Sequence, residues 1–109
     1  LSHGADPNIA NKAGQTALHQ AVVRGDQEIV KLLLNTSGIN INQQDASHGM
    51  TALHLAVLFG HQEIIQLLLA HGANMAVKTT EGKTAVELAS TKKMRKYVRS
   101  VILKRVHSH

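Results

Sequence analysis

The sequence predicts an all-α solenoid of stacked helix-turn-helix pairs joined by short β-hairpin or loop fingers. Three observations carry that reading. The segment from Thr16 to Leu34, TALHQAVVRGDQEIVKLLL, recurs from Thr51 to Leu69 as TALHLAVLFGHQEIIQLLL, and more loosely from Thr84 to Ile102 as TAVELASTKKMRKYVRSVI. The threonines step by 35 and then by 33, while Gly4, Gly38 and Gly72 step by 34 both times. The first two copies split at a glycine, Gly25 and Gly60, into two short segments that are apolar round much of their circumference. Segments of that kind bury themselves only against copies of themselves on either side.

Taken in order, residues 1–15 read as the tail of a helix followed by a β-turn or hairpin finger, with Pro7 and Gly14 setting the backbone geometry. Leu1-Ser2-His3-Gly4-Ala5-Asp6 matches Leu69-Ala70-His71-Gly72-Ala73-Asn74, so the chain reads as a fragment of a longer array opening in mid-repeat. Such a fragment exposes an uncapped N-terminal side through which it is expected to self-associate. Residues 16–24 and 26–35 form the first helix pair. The stretch to the next threonine then holds two extra residues, one between Leu34 and Gly38 and one between Gly38 and Gly49; a longer loop costs little.

The second pair spans 51–70. Thr51 offers a hydroxyl to the free N–H groups of a helix start, Gly60 supplies a left-handed stop, and a finger runs from Gly72 to Lys83. Leu33 and Leu68 hold equivalent positions and are expected to be fully buried. The third pair departs from the pattern: Glu87 replaces a histidine, Lys93 replaces the inter-helix glycine, and Lys92, Lys93, Arg95, Lys96, Arg99, Lys104 and Arg105 follow with no acid among them. Met94, Tyr97, Val98, Val101, Ile102 and Val106 recur at steps of three and four, giving one apolar and one cationic face. That is the design of a terminal, capping repeat. The expected division is 1–10, the end of an upstream repeat; 11–44 and 45–78, two repeats; and 79–109, the cap.

Composition narrows the function. The 109 residues are 43% hydrophobic yet only 2% aromatic, which suits thin stacked helices. Cysteine is absent, excluding a disulfide framework or a thiolate metal site. No apolar run approaches the length of a membrane span. Eight histidines invite a metal reading, but none forms a His-Glu-x-x-His pair; His107 and His109 sit at a terminus where they could take up stray transition metal. No nucleophile elbow and no phosphate-cradling glycine loop is present. No catalytic residue, cofactor or metal is expected, so the chain reads as a non-enzyme.

These residues resemble the ankyrin repeat. The resemblance rests on the period, on Thr16-Ala17-Leu18-His19-Gln20-Ala21 and Thr51-Ala52-Leu53-His54-Leu55-Ala56 against the T-P-L-H-x-A signature, and on Gly14, Gly49 and Gly82 two residues before each threonine. Alanine at 17, 52 and 85 replaces the signature proline and keeps good helix propensity. The resemblance implies a protein–protein interaction module, a scaffold or adaptor binding through its concave face and fingers. It also implies that His19 and His54 brace the fingers through backbone hydrogen bonds. Carried over by position, the partner-binding residues are Val23, Arg24, Ser47, His48, Met50, Leu58, Phe59, Glu81, Lys83, Thr91 and Lys92.

Read directly, Met50, Leu58, Phe59 and Val23 make an apolar cluster rimmed by Arg24, Lys83 and Lys92, the mark of a binding site. It suits a partner protein with an apolar anchor and acidic flanks. The setting expected is intracellular, cytoplasmic or nuclear. The charge of +5 and pI near 9.9 leave an alternative in which the basic helix meets nucleic acid, an anionic membrane surface or the import machinery. Missing aromatics tell against nucleic acid, and a solvated cap is the reading adopted. A further alternative makes the repeats the recognition part of an enzyme encoded elsewhere in a longer chain.

Overall fold

A computed structural model describes residues 8–89 and 91–107, with the backbone alone described from 102 onward. The helix tail read at residues 1–7, and the side chains of Ile102, Lys104, Arg105, Val106, His107 and His109, lie outside what is described. The elements are α1 (Ala17–Arg24), α2 (Gln27–Leu34), α3 (Ala52–Phe59), α4 (Gln62–Ala70), a 3-10 turn (Val86–Leu88) and α5 (Lys92–His107). The chain folds as stacked helix-turn-helix pairs: α1 packs on α3, α2 on α4, and α3 on the 3-10 turn.

Local chemistry sets the helix limits. Thr16 and Thr51 cap α1 and α3, each hydroxyl accepting the N–H three residues on. Gly60 ends α3 at φ 74°, and its left-handed turn lets the Gly60 and His61 N–H groups reach the Val57 and Ala56 carbonyls. A side chain there would be strained. The core is a continuous layer of Leu, Ile, Val and Ala between the pairs. Leu68 is 0% exposed and its counterpart Leu33 is 7% exposed, so both expectations of burial hold. Leu32 is 70% exposed, whereas its counterpart Leu67 in the next pair is half-buried against the core.

Two expectations are corrected. Among the described residues there is no β-strand, so the connecting segments are not β-hairpin fingers. Side chains have taken the N–H groups that a strand ladder would need. Asn11 Oδ1 accepts from Ala13 and Gln15 at 2.9 and 3.0 Å. Asp45 Oδ1 accepts from His48 and Met50 at 2.9 and 3.1 Å, and Thr79 Oγ1 from Glu81 and Lys83 at 3.3 and 3.2 Å. These are side-chain-closed turns, the alternative that Asn, Asp and Thr offer to regular structure. The extra residue of the second loop lies inside such a turn, between Asp45 and Met50.

The second correction concerns the third pair. Its first member is a single 3-10 turn, because Ala89 swings to ψ 119° and the Thr91 hydroxyl accepts the Met94 N–H at 3.0 Å, starting α5 early. Ser90 stands in the sequence where Val22 and Val57 fill the core. Thr91 and Lys92 thus open the last helix; they do not close a first one.

Candidate protein-interaction face

Successive loops are tied by side chains that reach the backbone of the next repeat. In His19 the Nδ1 accepts the Thr16 N–H at 3.1 Å, which leaves the proton on Nε2 to be donated to the Met50 carbonyl at 2.9 Å. His54 repeats this, Nδ1 accepting from Thr51 N–H at 3.0 Å and Nε2 donating to the Lys83 carbonyl at 3.3 Å. The bracing role implied for both histidines is thus present, directed at loops. Burial holds the His54 pKa below the ordinary histidine value, against the opposing pull of the Lys83 and Val77 carbonyls and the Asp45 carboxylate. Both rings are committed to the frame, which leaves them no lone pair for a metal.

A second set of ties escaped the sequence reading. Asn8 Oδ1 accepts from the Asn40 N–H at 2.6 Å, and Asn42 Oδ1 accepts from the Asn74 N–H at 2.8 Å, each across 32 residues. The only available signal was Asn8 and Asn42 at matching positions in tails that look like ordinary turns. Loop backbones also touch directly, Ala46 N–H to Ala13 carbonyl at 2.9 Å and Thr80 N–H to His48 carbonyl at 3.0 Å. The approach is close enough that a Cβ on Gly14, at φ 75°, would lie 2.7 Å from the Ala46 Cβ. Glycine is therefore required there both for conformation and for space.

This frame sorts the eleven expected partner-binding residues into two rows. Ser47, His48, Glu81 and Lys83 are exposed on the stacked loops. Val23, Arg24, Leu58 and Phe59 are exposed at the far ends of α1 and α3, about 12 Å away along an eight-residue helix. Thr91 and Lys92 join the second row, because Met94 in the first turn of α5 packs beside Gly60, where a Cβ would lie 3.7 Å from the Met94 Cε. Met50 belongs to neither cluster: it is half-buried against the core, its carbonyl engaged by His19 and by the Asp45 N–H. Lys83 lies with the loops, leaving Arg24 and Lys92 as the cations beside the apolar side chains.

The helix-end row groups three of the six exposed large apolar side chains among the described residues, the others being Ile9, Ile29 and Leu32. Val23, Leu58 and Phe59 are 40%, 39% and 50% exposed. The Phe59 ring stacks on His61 with centroids 6.3 Å apart and planes inclined by 24°. His61 in turn lies against Gly25, where a Cβ would come within 3.0 Å of its Cε1, so Phe59 is propped outward on a supported ring. Among the described residues no cluster of His, Asp or Glu could hold a metal ion, and no helix is long and apolar enough to cross a membrane.

Comparison with known proteins agrees with this architecture. The chain matches the family described as ankyrin repeats (3 copies) over residues 1–79 and again over 40–107. It is 38% identical over 97 residues to the BCL-6 corepressor-like protein 1 of Mus musculus and 40% identical over 93 residues to that of Homo sapiens, covering 88% and 85% of this chain. It is also 38% identical over 101 residues, 93% of its length, to the B-cell lymphoma 3 protein homolog of Mus musculus. The chain spans 5% of the length of the corepressor-like relatives and 22% of the third. The chain belongs to the ankyrin-repeat family, whose repeats are non-catalytic scaffolds for protein–protein interaction.

Proposed function

We propose that this domain holds a protein partner on the helix-end row, with Phe59 and Leu58 as the apolar centre, Val23 beside them, and Arg24, Thr91 and Lys92 as the polar rim. The observation that carries the reading is the exposure of Phe59, Leu58 and Val23 together at the ends of two contacting helices. Large apolar side chains grouped on a surface mark interaction sites, and a propped aromatic ring is the usual anchor. Arg24 and Lys92 favour a partner segment with acidic residues flanking its apolar one. The loop row, Ser47, His48, Glu81 and Lys83 with Met50 behind it, gives the partner a second line of contact. The setting that fits this reading is intracellular, cytoplasmic or nuclear.

Phe59→Ala tests this. Partners captured on the tagged wild-type domain are identified and their affinities measured for both forms. The substitution should weaken binding by about 2 kcal/mol or more and leave the melting temperature nearly unchanged, since half the ring already meets water. If Phe59→Ala unfolds the domain while whatever remains folded binds normally, Phe59 is a core residue and the proposal fails.

A further inference from the structure

The last face of the stack is built unlike the junctions before it. At both earlier junctions a histidine Nε2 and an asparagine Oδ1 hold the following backbone. At the end of the chain Glu87 stands in place of the histidine, and Ala76 stands where Asn8 and Asn42 stand in the earlier tails. Glu87 turns its carboxylate back on its own repeat, Oε1 accepting from the Thr84 N–H at 3.0 Å and from the Thr84 hydroxyl at 3.1 Å. Neither side chain that would tie down another repeat is present.

In its place lies a groove of ≈ 270 Å³ lined by Lys83, Val86, Glu87, Arg95 and Arg99. The corresponding residues of the middle repeat are Met50, Leu53, His54, Gln62 and Gln66, with no cation among them. Here three cations line a groove with one carboxylate. The hydrogen bonds from Thr84, helped by Lys78 and Lys83, hold the Glu87 pKa below the ordinary carboxylate value. Among the described residues neither Arg95 nor Arg99 has a hydrogen-bonding or ionic partner for its guanidinium. Arg95 and Arg99 are four residues apart on α5, a spacing at which like charges repel. Arg95 also lies in the first turn of α5, the positive end of the helix dipole. At exposed side chains these repulsions are small, and an anion in the groove relieves all of them at once.

We propose that this end groove is a second binding site, independent of the Phe59 surface, and that it takes an acidic segment of a polypeptide. A carboxylate-bearing chain matches both signs of charge in the groove. Its acidic side chains meet Lys83, Arg95 and Arg99, while its backbone N–H groups reach the second oxygen of Glu87, which has no partner among the described residues. A nucleic-acid backbone offers phosphates without such donors and sets them against Glu87. No aromatic ring lines the groove to stack a base; Tyr97, the aromatic of α5, is half-buried and donates its hydroxyl to the Gln62 carbonyl.

The test is fluorescence anisotropy with a labelled peptide of alternating glutamate and glycine, run beside a single-stranded oligonucleotide of equal charge. Arg95→Gln/Arg99→Gln should weaken peptide binding by about tenfold or more, the loss of charge-assisted contacts, with the helix content unchanged by circular dichroism. Lys12→Gln/Lys31→Gln, which removes the same charge elsewhere, should change it by less than about twofold. Glu87→Gln keeps an acceptor for Thr84 but loses the charged acceptor for the peptide N–H groups, so it should weaken peptide binding and tighten binding of the oligonucleotide. Equal losses in the two double variants would mean binding to net charge and overturn the site. Tighter, groove-dependent binding of the oligonucleotide would overturn the choice of ligand.

Discussion

The middle pair and the last pair begin alike and end differently. Both open on Thr-Ala with an apolar residue next, and the alanine after the threonine is buried in each, Ala52 as the first residue of α3 and Ala85 just before the 3-10 turn. In the middle pair α3 completes two turns and is stopped by Gly60. In the last pair the backbone leaves the helix after one 3-10 turn, and Thr91 starts a helix of 16 residues. Yet Ala89 and Val98 are buried, as Ala56 and Ile65 are at the same positions of the middle pair, and Met94 is buried where the half-buried His61 stands. The order of buried positions survives a shift in where the helices begin and end. What stacks one repeat on another is the sequence of inward-facing side chains; the helix boundaries follow local capping chemistry.

If that is correct, truncating a buried side chain should matter most where the stack covers it on both sides. Leu68→Ala should cost about 2–5 kcal/mol, and Val101→Ala, its half-buried counterpart, about 1 kcal/mol. Equal shifts in urea midpoint would erase the distinction between the two pairs. The histidine tie ranks next. His54→Ala removes a buried donor and acceptor and should cost about 1–3 kcal/mol, whereas Glu87→Ala should leave the midpoint close to wild type. Because the native His54 pKa is lowered, the folded state binds fewer protons than the unfolded state in acid. Stability is therefore full above the ordinary histidine pKa of about 6.5 and declines as the pH falls through it toward the native value. His54→Gln should flatten that decline, and a wild-type midpoint constant from neutral to mildly acidic pH would contradict the linkage. The smallest effect belongs to the asparagine tie: Asn42→Ala should cost about 0.5–1 kcal/mol, seen as faster amide exchange at Asn74, while Ala76→Asn should gain nothing. A gain from Ala76→Asn would show that the end face still accepts the tie.

The helix pairs were legible because their signals are local and repeated. Thr16 and Thr51 cap, Gly25 and Gly60 stop, and the leucine runs fall in register, so even Leu33 and Leu68 could be named as core. The loops were not legible, because Asn11, Asp45 and Thr79 are common in hairpin turns as well as in the side-chain-closed turns they form here. The early end of the third inner helix was hidden for a similar reason. Ser90-Thr91 is a capping dipeptide, but its place in the repeat register made it read as helix. Val23, Leu58 and Phe59 are exposed at the helix ends, whereas Met50 is half-buried because its neighbours on the core side, not its own polarity, decide its exposure. The groove at Glu87 needed coordinates, since Lys83 and Arg99 are far apart in the chain.

The ties from His19, His54, Asn8 and Asn42 share one property: each ends on a main-chain carbonyl or N–H and asks nothing of the side chain it meets. A junction made this way has no matched partner to lose. A repeat copied, deleted or exchanged by recombination would carry its own half of the joint and find the other half in any neighbour of the same backbone shape. Lineages could thus lengthen or shorten such an array a whole unit at a time, while its exposed residues drift to suit new partners. Only a unit ending as this one does, with Glu87 and Ala76, would interrupt the series.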